Sequence, residues 1–154
     1  MVSLVIITQI EQQYVEKGCQ TLGSAFTMLQ HRWKDGARDK ETALRLLFLA
    51  WYSCSEPDFL TGLDEDLGNK AIFINVFTEL GGMDCQDPEV CFTVGFMAET
   101  FPWCIGDEKS WEQKGLALRT RGRELKPNGY PPAHFEGRGA YGNYFSHMAR
   151  IGAL

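Results

Sequence analysis

A chain of 154 residues fits one domain with one hydrophobic core, because a chain of this size buries about two thirds of its unfolded surface. Hydrophobic residues make up 44% and charged residues 23%, which excludes disorder along the whole chain. The formal net charge of −5 leaves no general positive surface for phosphate groups, so we expect no nucleic-acid partner.

The amino-terminal segment and the most apolar block argue against a membrane. The apolar run 4–10 lacks a basic region before it and a small-residue cleavage site after it, so we do not expect it to be a signal peptide. The block 42–52 contains Arg45 and is shorter than the ~20 residues that span a bilayer. We therefore expect no membrane partner.

The cysteines predict a cytoplasmic protein. There are five of them, an odd number at irregular spacings, and none forms a Cys-x-x-Cys pair. Disulfides persist in oxidising compartments and structural zinc usually takes closely spaced pairs of ligands. The expectation is five free thiols in a reducing cytoplasm.

Apolar residues recur every three or four positions from Ile7 to Trp33 and predict one long first helix. Gly36 fits its carboxyl-terminal stop, and Asp39 fits the N-cap of a second helix over residues 40–54. The second helix is apolar on nearly all sides. We place it at the centre of the fold, because such a helix must be covered on several sides.

Four further segments have helical signals. Pro57 ends the second helix, and a third helix is predicted over residues 69–80, before a glycine pair. Asp87 followed by proline marks the start of a fourth helix. Asp107 caps a fifth, which Pro127 closes. Helical spacing returns near the carboxyl terminus and predicts a last short helix over residues 144–151.

Small residues line the inner faces of the fourth and fifth helices. Gly95 lies on the first, and Gly115 and Gly122 lie on the second. A glycine costs roughly 1 kcal/mol relative to alanine inside a helix, so we expect compensation by close helix packing at these positions.

These signals predict the all-α class, as antiparallel helical hairpins or a bundle of about five to six helices. Residues 2–7 are the one place where alternation is compatible with a strand. Residues 1–154 form a single domain, within which residues 127–143 are an irregular segment rich in glycine, proline and aromatic residues.

Residues 88–127 resemble the helix pair of a tetratricopeptide repeat. Val94 and Gly95 stand at the Leu-Gly step of that family, Gly115 at its small residue and Pro127 at its closing proline. The resemblance implies a helical scaffold whose concave face binds a peptide or partner protein.

The chain departs from the repeat pattern at several positions. Cys91 replaces the usual tryptophan, Ala98 the tyrosine and Arg119 the aromatic residue, and the connection is about eight residues too long. No second copy follows at a fixed period, although an array needs at least ~3 units.

A basic face on the fifth helix is the first candidate contact surface. Arg119, Arg123 and Lys126 are four and three residues apart, so they project together. Guanidinium groups suit carboxylates and phosphates, so this face fits an acidic or phosphorylated partner. The alternative is a solvated face, partly neutralised by Glu112 and Glu124.

Aromatic residues supply the other candidates. Trp51 and Trp111 lie on apolar faces and are assigned to the core, whereas Trp103 follows a proline in a turn and is assigned to the surface. Four residues of the irregular segment are also predicted to contact a partner. The predicted contact residues are Arg119, Arg123, Lys126, Trp103, Tyr130, His134, Arg138 and Tyr141.

No catalytic residue, cofactor or metal is predicted. No local signature surrounds a cysteine as a thiol nucleophile would require. The acidic residues Asp64 to Asp66 fail the spacing of a calcium loop, whose twelfth position is here Asn75, and no Glu-x-x-His motif marks a metal site on a helix.

The sequence therefore favours a protein–protein interaction module. Its rival is a small-ligand-binding protein or an enzyme with a pocket between helices. Exposed apolar residues on the third or fourth helix also fit a homodimer.

Overall fold

The computed structural model describes residues 1–154. Eight α-helices follow in chain order: α1 (Leu4–Lys17), α2 (Leu22–Lys34), α3 (Lys40–Ser55), α4 (Asp58–Thr61), α5 (Gly68–Glu79), α6 (Pro88–Thr100), α7 (Glu108–Leu125) and α8 (Gly139–Arg150). The all-α class is confirmed, whereas the predicted number of five to six helices is wrong. Residues 2–7 form no strand, because α1 begins within them. None of the helices is long and apolar enough to cross a membrane.

The amino-terminal region forms two helices where one was predicted. Gly18 ends α1 with φ 69°, a left-handed conformation that glycine adopts without steric cost. The Thr21 hydroxyl then donates to the Ile10 carbonyl oxygen at 2.7 Å, and α2 packs against α1. The apolar spacing continues across this turn because both helices direct an apolar face to the core, so the spacing alone conceals the break.

The predicted helix starts are confirmed. The carboxylates of Asp39, Asp87 and Asp107 each accept a hydrogen bond from a backbone N–H in the first turn of α3, α6 and α7. The last helix begins earlier than predicted, at Gly139, so the irregular segment ends at Arg138 and not at residue 143.

The second predicted helix, α3, is central as expected. It packs against α2, α5 and α8, and it is buried along most of its length. Trp51 on α3 is fully buried and donates through Nε1 to the Met97 carbonyl oxygen of α6 at 3.1 Å. Trp111 is also buried, so both tryptophans belong to the core as predicted.

Helices α6 and α7 form a closely packed antiparallel hairpin. A Cβ atom placed on Gly115 would lie 2.9 Å from the Gly95 carbonyl oxygen, and one on Gly95 would lie 3.1 Å from the Gly115 carbonyl oxygen. The expected close approach at these glycines is confirmed. Backbone contact of this kind is possible because neither residue carries a side chain.

One cysteine pair is bonded. Cys54 at the end of α3 and Cys104 in the 3-10 turn Pro102–Cys104 form a disulfide, so the prediction of free thiols is wrong for this pair. Their Cα atoms lie 5.5 Å apart although 50 residues separate them in the chain. No spacing motif in the sequence predicts this pairing, because only the fold brings the two cysteines close together. The other three cysteines are free.

Replacing Gly115 with alanine should destabilise the protein by about 1–3 kcal/mol despite the better helix propensity of alanine, because the added Cβ forces α6 and α7 apart. Gly122 on the same helix is the control. A Cβ there would be 3.3 Å from Phe92, so Gly122→Ala should cost less. Urea denaturation measures both, and a Gly115→Ala protein more stable than the wild type would contradict the packing argument.

Replacing Cys54 and Cys104 together with serine should lower the free energy of unfolding by about 2–4 kcal/mol, because the open chain gains conformational entropy when unfolded. A reducing agent should have the same effect on the wild type and none on the variant. Cys19→Ser, which removes an exposed free thiol, is the control. Equal stability of all three proteins in urea would exclude a stabilising disulfide.

Candidate functional site

A groove runs between α2 and α5. Both helices pack on α3, which contributes Leu46 near one end of the groove and Ser53 near the other. The central part is a cavity of about 610 Å³ that is open to solvent. Its walls are polar side chains of α2, among them Ser24 and Thr27, and the segment from Gly62 to Ile72.

Two smaller cavities continue the groove at its ends. One of about 180 Å³ shares Gln30 and Ile72 with the central cavity. The other, of about 230 Å³, shares Asp66 and Asn69 with it and reaches the Cys54–Cys104 disulfide. Neighbouring cavities share lining residues, so the three adjoin one another, although no residue of α2 lines the cavity beside the disulfide.

A fixed loop shapes the central cavity. Gly62 ends α4 with φ 76°, and its carbonyl oxygen lies so close to Gly23 of α2 that a Cβ on Gly23 has no room. The buried Asn69 amide donates to the Ser53 hydroxyl at 2.9 Å and to the Asp64 carbonyl oxygen at 3.0 Å. These contacts fix the loop of residues 62–68 against α2 and α3, so the backbone that carries its acidic residues has a defined position.

This end of the groove carries unpaired negative charge. Five acidic residues fall within 56–66, and no lysine or arginine occurs between Arg45 and Lys70. None of the five forms an ion pair, four of them are exposed, and Lys70 lines the cavity beside the disulfide together with Glu65 and Asp66. The five are Glu56, Asp58, Asp64, Glu65 and Asp66.

Exposed apolar side chains flank the same end. Phe59 is 67% exposed, and the Gln20 side chain of the groove wall donates to its carbonyl oxygen. Leu67 is 85% exposed and lines the cavity beside the disulfide. Trp103, the residue before Cys104, is 47% exposed, in agreement with its predicted surface position.

Two of the three basic side chains predicted to form a face on α7 interact with other groups of this chain. Arg119 donates to the Glu99 carboxylate at 2.8 Å and to a carbonyl oxygen near the carboxyl terminus. The Lys126 ammonium lies 4.9 Å from the centre of the Tyr130 ring. Arg123 is exposed and forms no ion pair, so the three residues do not present three free cations together.

The predicted contact residues of the tail converge on a buried carboxylate, Glu89. Tyr141 donates to Oε2 of Glu89 at 2.6 Å and Arg138 does so at 2.7 Å, while His134 bonds to Oε1 at 2.8 Å. Tyr130 stacks on His134 with ring centres 4.2 Å apart. Tyr141 is fully buried, so its predicted role as a surface contact is wrong.

The electrostatics of this cluster indicate that its role is to stabilise the fold. Burial alone would raise the pKa of Glu89, but hydrogen bonds from Arg138, Tyr141 and His134 outweigh burial and lower the pKa to about 2. Burial and the Glu89 charge raise the pKa of the Tyr141 phenol. Arg138 also bonds to the Glu41 carboxylate of α3 at 2.6 Å. The cluster thus joins the tail to α3 and α6.

A second buried ion pair lies beneath Gly139. Glu11 of α1 and Arg45 of α3 are buried and bonded, and burial raises the pKa of Glu11 against the opposing effect of Arg45. Glu11 Oε1 and Arg45 Nε have no hydrogen-bond partner. A signal was present in the sequence, because each of these charges falls within an apolar helical pattern.

The fold and the groove define an all-α protein with an open, acidic groove between two helices. No known protein family matches this chain, and no curated protein and no solved structure is detectably similar to it. No group of three or more His, Cys, Asp or Glu side chains is arranged to hold a metal ion. The resemblance to a tetratricopeptide repeat stays a prediction.

Replacing Glu89 with glutamine should lower the free energy of unfolding by about 3 kcal/mol near neutral pH, since a buried charge that pairs with half-buried Arg138 is lost. The folded protein holds the pKa of Glu89 near 2, below the ordinary 4.5, so its stabilisation is present above about pH 5 and is lost as pH falls toward 2. The difference between variant and wild type should shrink over that range in urea denaturation.

The control for this variant is Glu136→Gln, which removes an exposed ion pair whose atoms are 3.9 Å apart. It should change stability by no more than about 0.5 kcal/mol at any pH. A Glu89→Gln effect that stays constant from neutral to acid pH would contradict the assigned pKa.

Proposed function

We propose that this protein binds a segment of a partner protein in the groove between α2 and α5. The observation that carries the proposal is the open cavity between α2 and α5, which has an adjoining cavity on either side, with exposed Leu67 lining the one beside the disulfide. Exposed apolar side chains beside a groove are typical of interaction surfaces. A chain segment also matches an elongated site better than a compact ligand does.

The lining argues for a peptide over a small molecule. Small-molecule sites are mostly apolar and enclose most of their ligand. In the central cavity, Phe26 and Ile72 are the only hydrophobic lining residues, and the cavity is open. Side-chain amides and hydroxyls such as Gln30 and Thr27 suit the peptide groups and polar side chains of a bound segment.

The proposal places the contact surface away from α7 and the tail. Arg119 and Arg138, predicted as contacts, are engaged in ion pairs inside this chain. A partner there would have to replace those bonds, whereas the acids of the groove have no such bonds to lose. The cytoplasmic location stays a prediction, and the Cys54–Cys104 disulfide favours an oxidising compartment instead.

Replacing Thr27 with tryptophan should abolish partner binding, because Thr27 is exposed in the central cavity and an indole would fill the groove. The matched control is Thr120→Trp on α7. Both hydroxyls donate to the carbonyl oxygen four residues earlier, at 3.1 and 2.8 Å, and both side chains are exposed. A protein captured from native extract by the wild type should bind Thr27→Trp about tenfold or more weakly.

Thr120→Trp should capture that protein as the wild type does, and all three proteins should have the same circular dichroism spectrum. Equal capture by Thr27→Trp would overturn the proposal. A small molecule carried by the wild type and lost from Thr27→Trp, without any captured protein, would favour the rival ligand-binding function. Capture of a second copy of this chain would identify a homodimer at the groove.

A further inference from the structure

We propose that the Cys54–Cys104 disulfide is a thiol–disulfide exchange site, which a dithiol opens while the protein stays folded. The inference does not depend on the binding function proposed above. It rests on three observations. A cavity reaches both cysteines, the two cysteines differ in exposure, and other contacts hold α3, α6 and the turn before α7 together beside the bond.

The disulfide borders a cavity that reaches the protein surface. Cys54 and Cys104 both line this cavity, whose volume is about 230 Å³. Leu67 lines it too and is 85% exposed, so the cavity is connected to solvent. Because one water molecule takes about 30 Å³ in the liquid, a small thiol has room there. Exchange requires that a thiolate reach a disulfide sulfur, and this cavity supplies the path.

The exposure of the two cysteines decides which sulfur is attacked. Cys54 is half-buried, whereas Cys104 is 2% exposed. A thiolate in the cavity therefore attacks Cys54 Sγ, the S–S bond breaks, and Cys104 leaves as a thiolate that takes up a proton. The second thiol of the dithiol then displaces Cys54 from the mixed disulfide. In all, two electrons and two protons pass to the cysteine pair, and the dithiol becomes a cyclic disulfide.

Contacts beside the disulfide hold α3 and the neighbouring turn in place when the bond is open. Trp51 of α3 donates through Nε1 to the Met97 carbonyl oxygen, and its ring centre lies 5.7 Å from that of Phe101. The turn is closed by its own backbone, since the Ile105 N–H donates to the Pro102 carbonyl oxygen at 3.0 Å. Reduction of the disulfide should therefore leave the helices folded.

The first test measures how fast dithiothreitol reduces the folded wild type. Glu65, Asp66 and Lys70 also line the cavity, so the probe is a dithiol whose only charge is on its attacking sulfur. Samples are quenched in acid, unfolded and alkylated. Mass spectrometry then separates protein with three alkylated cysteines from protein with five.

The internal control is Cys91, a free thiol that is fully buried in α6 and should react with N-ethylmaleimide only when the core opens. Each rate is compared with that of the protein unfolded in urea. Folding should slow reduction of the disulfide by a factor about tenfold or more smaller than the factor for Cys91 labelling, and low urea should change the reduction rate little. Equal factors would mean that the bond opens only on unfolding, which would overturn the proposal.

The second test locates the attack in the wild type with 2-mercaptoethanol, a monothiol that forms the mixed disulfide and has no second thiol to displace it. After acid quench and alkylation, peptide mass spectrometry should find the adduct on Cys54 and the alkyl group on Cys104. An adduct on Cys104 would contradict the assigned direction of attack.

The third test asks whether the bond opens and closes within the fold. The reduced protein should keep the circular dichroism spectrum of the disulfide form. Removal of dithiothreitol and addition of bis(2-hydroxyethyl) disulfide should restore the bond by the reverse exchange, and the product should again have three alkylated cysteines. Loss of the helical signal on reduction, or failure of the bond to re-form, would overturn the proposal.

Discussion

Helix α3 sets the arrangement of the molecule, because a helix that is apolar on nearly all sides must be covered on nearly all sides. Helices α2, α5 and α8 supply most of that cover, and the Cys54–Cys104 disulfide attaches the end of α3 to the turn before α7. Two helices that pack on the same third helix leave a channel along the line where they face each other. The groove between α2 and α5 is thus a consequence of how α3 is buried.

Buried charge decides where the carboxyl-terminal segment lies. Residues 127–138 have little regular structure, and their position depends on Glu89 and on the ion pair of Arg138 with Glu41. Loss of one partner leaves the other buried without compensation, which costs more than the pair contributes. The Glu11–Arg45 pair acts in the same way beneath α8, where Gly139 leaves space for both side chains.

Local signals in the sequence predicted local structure well. The caps at Asp39 and Asp87 and the close contact at Gly95 depend on neighbouring residues or on one helix face, and all three were predictable. The turn at Gly18 was not, because the apolar spacing continues through it. The disulfide, the Glu89 cluster and the groove each join residues at least 30 positions apart, and no single-segment pattern contains that information.

The acids at the groove have a different energetic role from the acids in the interior. Glu89 stabilises the fold because its partners belong to the same chain, whereas none of the acids within residues 56–66 forms an ion pair. Their mutual repulsion slightly opposes folding. The burial of α3 thus builds the groove, and the acids at residues 64–66 beside it lie outside the core.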